Sequence, residues 1–191
     1  MTIALIRHGQ TDWNRLGLLQ GSTDIPLNDT GRAQAREAAA MLRDAGAHWD
    51  VVVSSPLARA RETAAIIAEG IGVPLGDAVP LLVERHYGRF EGVSDDEVAR
   101  DPLGKADPSV ETLSSVVDRG VAAVDAIAAA HPGRSVVVVA HGTIIHYTLN
   151  AFAGADVGVI GNGTLAEIEQ DGDGWRVTRV NDAPFAPRLE A

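Results

Sequence analysis

The sequence predicts an α/β protein, a three-layer α/β/α sandwich built on a mostly parallel central sheet. Three observations carry that expectation. The runs IALI (3–6), VVV (51–53) and VVVV (136–139) are apolar at every position rather than at alternate ones, which marks strands covered on both faces. Alanine-rich amphipathic stretches separate these runs, as the crossover helices of parallel strands would. Late in the chain, TLAEIE (164–169) and WRVTRV (175–180) flank Gln-Asp-Gly-Asp-Gly. That is an Asp-Gly hairpin signal, so the sheet is expected to end in an antiparallel strand pair.

The helices follow in order. Asn28 or Thr30 can cap a helix over about 31–45. Pro56 sits at the first turn of a second, over about 57–69. In 112–130, Leu113, Val116, Val117, Val121, Val124 and Ile127 recur at helical spacing, and the pattern stops before Pro132-Gly133. A further helix is expected after Gly142, running through Leu149. Residues 94–110 (SDDEVARDPLGKADPSV) are polar and broken by Pro102, Gly104 and Pro108. They read as a short helix plus loop, a lid inserted in a single domain of residues 1–191.

Composition narrows the chemistry. The chain has no cysteine, which removes disulfides, thiolate nucleophiles and sulfur-ligated metals. A net charge of −10 and a pI near 4.9 argue against nucleic acid or an anionic membrane as a partner. The opening MTIALIRHG lacks the basic and long apolar regions of a signal peptide, so the cytoplasm is the expected location. Of 16 basic residues only Lys105 is a lysine. Arginine's planar fork suits phosphate and carboxylate, although genome composition produces the same bias.

In open α/β sheets ligands bind beyond the carboxyl ends of the strands. Three predicted strand exits carry suggestive groups there: Arg7-His8-Gly9, the segment SSPLARARETA (54–64) with Arg59 in a first helical turn, and His141-Gly142. A parallel sheet would bring all three to one edge. Taken singly each is weak, since His141 could equally cap a strand or bond a loop.

In order, RHGQTDWN (7–14), SSPLARARETA (54–64), ERHYGRFEG (84–92) and VVVVAHG (136–142) resemble the signature segments of the histidine phosphatase superfamily, which includes cofactor-dependent phosphoglycerate mutase. PLNDTGRAQA (26–35) and the Asn162-Gly163-Thr164 turn are also similar, and the likeness spans residues 3 to about 168.

The resemblance implies roles. His8 would be the nucleophile and form a phosphohistidine, with a backbone carbonyl fixing its tautomer. Arg7, Arg59 and His141 would hold the phosphoryl oxygens, guanidinium forks matching phosphate bidentately. The helix after His141, opening at Gly142, would add backbone donors. Asn14 fits as a neutral donor, while Gln20 and Gly21 lie where relatives contact substrate. Glu84 would be the general acid and then the base that activates water, a role needing a raised pKa. An ion pair with Arg85 is the competing reading of Glu84. Arg85 and Tyr87 are expected in the substrate pocket. No cofactor and no metal are implied: HExxH, DxDxDG, the P-loop and the G-x-S-x-G elbow are all missing.

The expected activity is a metal-independent phosphomonoesterase acting on a small-molecule phosphate ester, the protein being a monomer or homodimer. ERHYG resembles the mutase subgroup, but the short acidic lid, whose only cations are Arg100 and Lys105, should admit water and favours hydrolysis. Val110 stands where many phosphatase relatives carry glycine. A phosphoglycerate mutase is the alternative enzyme, and a non-catalytic phosphate-binding member of the fold the alternative of another class. Ser54-Ser55 read as helix caps, His131 as a helix-end residue, and Trp13 as either pocket rim or core. His48, His86 and His146 receive no role.

Overall fold

The computed structural model describes residues 1–186. β1 (Thr2–Arg7) leads through α1 (Asp12–Leu16) to α2 (Asp29–Asp44), β2 (Val51–Ser54), α3 (Ala58–Ile71) and β3 (Leu75–Ala78). Next come α4 (Asp95–Arg100), α5 (Leu113–Ala130), β4 (Val136–Ala140) and α6 (Gly142–Ala153). The last described elements are β5 (Leu165–Asp171), β6 (Gly174–Val180) and β7 (Ala183–Pro184).

The strands form one sheet in the order β3-β2-β4-β1-β5-β6-β7. β1 to β4 are parallel, and β5, β6 and β7 join antiparallel. Side-chain alternation explains why the strands read as unbroken apolar runs. Ile3, Leu5, Val136 and Val138 pack with Val124, Ile127, Ile144 and Leu149 of α5 and α6. Ala4, Ile6, Val137 and Val139 turn the other way, onto Ala38, Leu42, Ala64 and Ile67 of α2 and α3. Both faces are therefore dry, and each such valine or isoleucine contributes roughly 1.5–3 kcal/mol by burial.

Register decides what the sheet edge presents. Arg7 pairs with Ala140, and Ser54 with Val139. The residues just beyond, His8, His141 and Ser55, therefore emerge side by side from three adjacent strands although they are far apart in sequence.

Several details differ from the sequence expectation. Asn28 is the cap that acts, accepting from Gly31 N at 2.9 Å, and its helix starts at Asp29. Pro56 lies outside its helix, whose N-cap is Leu57. Leu57 cannot cap, so the Asp24 carboxylate does so from a distant loop, accepting from Ala58 N at 2.8 and 3.0 Å. Leu113 opens α5 but is exposed. The short edge strand LGDA (β3) had no hydrophobic signal to announce it. The hairpin turns at Gly172-Asp173, with Gly172 at φ 59° supplying the left-handed conformation.

Within 94–110, α4 is closed by a capping box of Ser94 and Glu97, and a 3₁₀ turn covers Gly104–Ala106. Val98 and Val110 pack with Tyr87 and Phe90 in a small separate cluster. Val110 thus anchors this segment to ERHYGRFEG. Among the described residues, no helix is long and apolar enough to cross a membrane.

Candidate active site

The His8 and His141 rings stand edge to face with centroids 5.1 Å apart, as the β1–β4 register requires. Nδ1 of His8 lies 2.7 Å from the Gly9 carbonyl. A carbonyl only accepts, so Nδ1 carries the proton and Nε2 keeps its lone pair. Arg59 Nε donates to that Nε2 at 3.3 Å. His141 Nε2 lies 2.8 Å from Ser55 Oγ, and both residues are fully buried.

Among the described residues, two buried atoms of this site have no partner: Arg7 Nε and His141 Nδ1. Leaving a buried polar atom bare costs about 1–3 kcal/mol, so such atoms are normally satisfied by a ligand or water. Arg7 itself is anchored through NH1 to the Ile160 carbonyl at 2.7 Å. Its guanidinium lies against Gly142, where a Cβ would sit 3.2 Å from Nε. Glycine there lets the cation lie close to the N-terminus of α6.

Arg59 is fully buried in the first turn of α3. It donates to the carbonyls of Gly21 (2.7 Å) and Thr23 (3.0 Å), and Asp24 lies 3.6 Å from NH1. The loop that supplies those carbonyls is strapped by Glu91. That carboxylate accepts from the backbone N–H and hydroxyl of both Ser22 and Thr23, and from Tyr87 N. Gly21 has φ 55°, and a Cβ would meet the Glu91 carboxylate at 2.1 Å. Only glycine allows the loop to close over Arg59 in this way.

Asn14 forms the capping box of α1 with Thr11. Its Oδ1 accepts from Thr11 N and from Asn162 Nδ2 at 3.2 Å each, which leaves Nδ2 as the free donor. Asn162 also donates to the His8 carbonyl at 2.9 Å. Gln20 is buried and donates from Nε2 to Thr11 Oγ1, and its Oε1 has no partner among the described residues.

The Glu84 carboxylate lies across the N-terminus of α6. It accepts from Thr143 N at 3.1 Å, Ile144 N at 3.3 Å and Arg85 N at 2.8 Å. The Arg85 guanidinium goes elsewhere, donating from Nε to the Glu111 carbonyl at 2.8 Å and lying 5.4 Å from the centre of the Tyr87 ring. Among the described residues Glu84 has no ion pair. Tyr87 OH is 2.7 Å from Thr143 Oγ1.

These residues line one cleft of about 720 Å³, which contains Arg7, His8, Asn14, Gln20, Gly21, Arg59, Glu84, Arg85, Tyr87 and Gly142. His141 sits behind it, against His8. Its outer part adds Leu18, Leu19, Leu113, His146, Tyr147, Val159 and the Lys105–Asp95 ion pair of the lid. His146 had no sequence motif to mark it; it bonds Asp156 at 2.7 Å. Asp24, Glu91 and Asn162 are the other contributors that sequence reasoning missed or left without a role, and the sequence marks Ser55 only as a helix cap. Each acts on a partner distant in sequence.

Burial, then Arg59 and Arg7, push the His8 pKa well below its usual value. Burial, then His8, Arg59 and Arg7, do the same to His141. Both imidazoles are therefore neutral at neutral pH. Burial lowers the pKa of both arginines too, while the Glu84 charge opposes it. Tyr87 is pushed up to about 12, mainly by burial and then by Glu84, and stays a protonated donor. The arrangement offers a neutral, oriented imidazole nitrogen, two guanidinium groups, a helix N-terminus and one carboxylate to a group entering the cleft.

A family model described as histidine phosphatase superfamily (branch 1) matches residues 3–183. The chain is 38% identical over 183 residues to a Bacillus subtilis (strain 168) protein named uncharacterized phosphatase PhoE, covering 94% of this chain and 93% of that one. It is 37% identical over 103 residues to a 2,3-bisphosphoglycerate-dependent phosphoglycerate mutase of Treponema pallidum, 52% of this chain and 41% of the mutase. In structure it is similar to Bacillus stearothermophilus YhfR, with a TM-score of 0.85 and 28% identity, over 96% of this chain and 98% of that one. The strand-end histidines and arginines and the near full-length match agree: this chain belongs to the histidine phosphatase superfamily, branch 1.

Proposed function

We propose that this protein is a metal-independent phosphomonoesterase that passes the phosphoryl group of a small phosphate ester through His8. The observation that carries the reading is a neutral, tautomer-fixed imidazole in a cleft that Arg7, Asn14 and Arg59 also line, with Arg7 Nε and the adjoining His141 Nδ1 buried without a partner among the described residues.

In the first half-reaction His8 Nε2 attacks phosphorus and the P–O ester bond breaks. Arg7 and Arg59 neutralise the charge spread over the equatorial oxygens. The leaving oxygen takes a proton from Glu84. Both ring nitrogens of His8 are then substituted, and the Gly9 carbonyl stabilises the charge on the ring. In the second half-reaction the Glu84 carboxylate takes a proton from water, the water oxygen attacks phosphorus, and the P–N bond breaks. Inorganic phosphate leaves and His8 returns to its neutral form. Arg59 must release Nε2 when the phosphoryl group enters, and the carbonyls of Gly21 and Thr23 hold its fork in place meanwhile.

Hydrolysis is favoured over mutase transfer by the lid. Its only cation within the cleft, Lys105, is paired with Asp95, which leaves little charge to retain a second phosphorylated molecule. The test is phosphorus NMR of EDTA-treated protein with a mixture of phosphate esters, including 3-phosphoglycerate primed with a trace of 2,3-bisphosphoglycerate. Growth of inorganic phosphate at the expense of an ester line supports hydrolysis. Growth of 2-phosphoglycerate without phosphate release would assign the protein to the mutases. Tight phosphate binding with no turnover would make it a non-catalytic binder.

A further inference from the structure

Ser55 stands at the end of β2 with no exposed surface, and its neighbours restrict what its hydroxyl can do. Leu57 N donates to Oγ at 3.3 Å, and His141 Nε2 lies 2.8 Å from the same atom. Ser55 N is committed to the Val139 carbonyl at 2.9 Å, which fixes the backbone from which the hydroxyl hangs. Among the described residues Oγ makes no other hydrogen bond.

If His141 carried its proton on Nε2, two N–H groups would aim at Oγ and the hydroxyl hydrogen would have no acceptor in a fully buried site. If Nε2 is bare, Ser55 donates to it and accepts from Leu57, and each group is satisfied. The proton of a neutral His141 then sits on Nδ1, a buried atom with no partner among the described residues, in a ring that meets His8 edge to face.

We propose that Ser55 is a positioning residue that sets the tautomer of His141, so that the neutral ring presents an Nδ1–H donor to an anionic oxygen in the cleft. The two histidines are thereby given complementary roles by opposite kinds of partner. A carbonyl acceptor at Nδ1 leaves His8 Nε2 a bare nucleophile, while a hydroxyl donor at Nε2 makes His141 Nδ1 a donor. Burial among cations keeps His141 neutral, so an extra proton cannot substitute for the correct tautomer. The effect on rate rests on the reading of the cleft as a phosphoryl site; the tautomer itself is a property of the free protein.

Nitrogen-15 NMR of histidine-labelled full-length protein, with the His141 signals assigned by His141→Gln, tests both layers. The free protein should show Nδ1 protonated and Nε2 bare. Ser55→Ala should move the proton to Nε2 or mix the two forms, and Ser55→Thr, which keeps the hydroxyl, should restore the original pattern. In steady-state assays Ser55→Ala should lose about 10–100-fold in kcat with KM changed less, and Ser55→Thr should recover most of it. Nε2–H in the unsubstituted protein overturns the proposal even if Ser55→Ala fails to fold, and so does a Ser55→Ala protein that keeps Nδ1–H. If the protein turns over no ester at all, the phosphatase reading fails while the nitrogen shifts still decide the role of Ser55.

Discussion

Arg59 Nε donates to His8 Nε2 across 3.3 Å, so a buried cation already sits at the nitrogen assigned to attack phosphorus. The same guanidinium bonds the carbonyls of Gly21 and Thr23. Lysine has one compact ammonium and cannot reproduce a fork aimed at three acceptors. Arg59→Lys should therefore lower kcat/KM by about 10²–10³-fold, the usual cost of removing an oriented charge donor. Arg59→Ala should lose at least as much and also lower Tm, because two carbonyls lose their partner. Steady-state kinetics and thermal unfolding on the same samples check both.

Glu84 is assigned the proton of the leaving oxygen, so its importance depends on how much the leaving group needs one. Glu84→Gln should slow hydrolysis of an alkyl phosphate by about 10²–10⁴-fold. With 4-nitrophenyl phosphate, whose leaving group is stable as an anion, the first step should suffer far less and phosphoenzyme should accumulate. Equal losses on both substrates in the phosphorylation step, read as the pre-steady-state burst of leaving group, would remove Glu84 from the acid role.

The depressed pKa values of His8 and His141 have a stability consequence with a definite sign. Below about pH 6.5 the unfolded chain protonates both imidazoles while the folded protein keeps them neutral. Stability is therefore fully present above pH 6.5 and declines as pH falls, by up to about 1.4 kcal/mol per pH unit for each histidine. Denaturant titrations between pH 7 and pH 5 should show this slope, and His8→Ala should reduce it. An unchanged slope in that variant would place the pH dependence elsewhere.

Glu91 touches no predicted reacting group, yet it holds the loop that holds Arg59. Burial pulls its pKa up, but the bonds from Thr23 and Ser22 outweigh this and lower it. The stabilisation it provides is thus present near neutral pH and lost as acid titrates the carboxylate below its ordinary range. Glu91→Ala should cost about 2 kcal/mol, the scale of hydrogen bonds to a charged acceptor. It should also raise KM for substrate, as measured by denaturant unfolding and steady-state kinetics.

Much of this was legible in the sequence for a physical reason. Strands buried on both faces must be apolar throughout, so IALI and VVVV announced a parallel sheet. The position just after such a strand announced His8 and His141. The four ordered segments then supplied Arg59 and Glu84. What escaped were effects of register and distant contact. Nothing local marks Asp24 as the cap of α3, or Glu91 as the strap of 20–23. Ser54 and Ser55 read as helix caps in the sequence, but neither caps α3: Ser54 Oγ bonds the Ser55 carbonyl, and Ser55 Oγ accepts only from Leu57 N, ahead of the helix. The Ser55 bond to His141 depends on β2 lying beside β4, which residue spacing does not show. Leu113 matched the helical apolar pattern but faces the cleft, because α5 begins at the rim of the sheet edge.

The most direct test of the central claim is to locate the phosphoryl group. Glu84→Gln protein mixed with 4-nitrophenyl phosphate would be quenched in alkali, where phosphohistidine survives, and its peptides mapped by mass spectrometry. The account predicts one added phosphoryl group on the peptide carrying His8, removed by brief acid treatment and missing when His8 is also alanine. A phosphoryl group on any other residue, or phosphate release undiminished in His8→Ala, would contradict it.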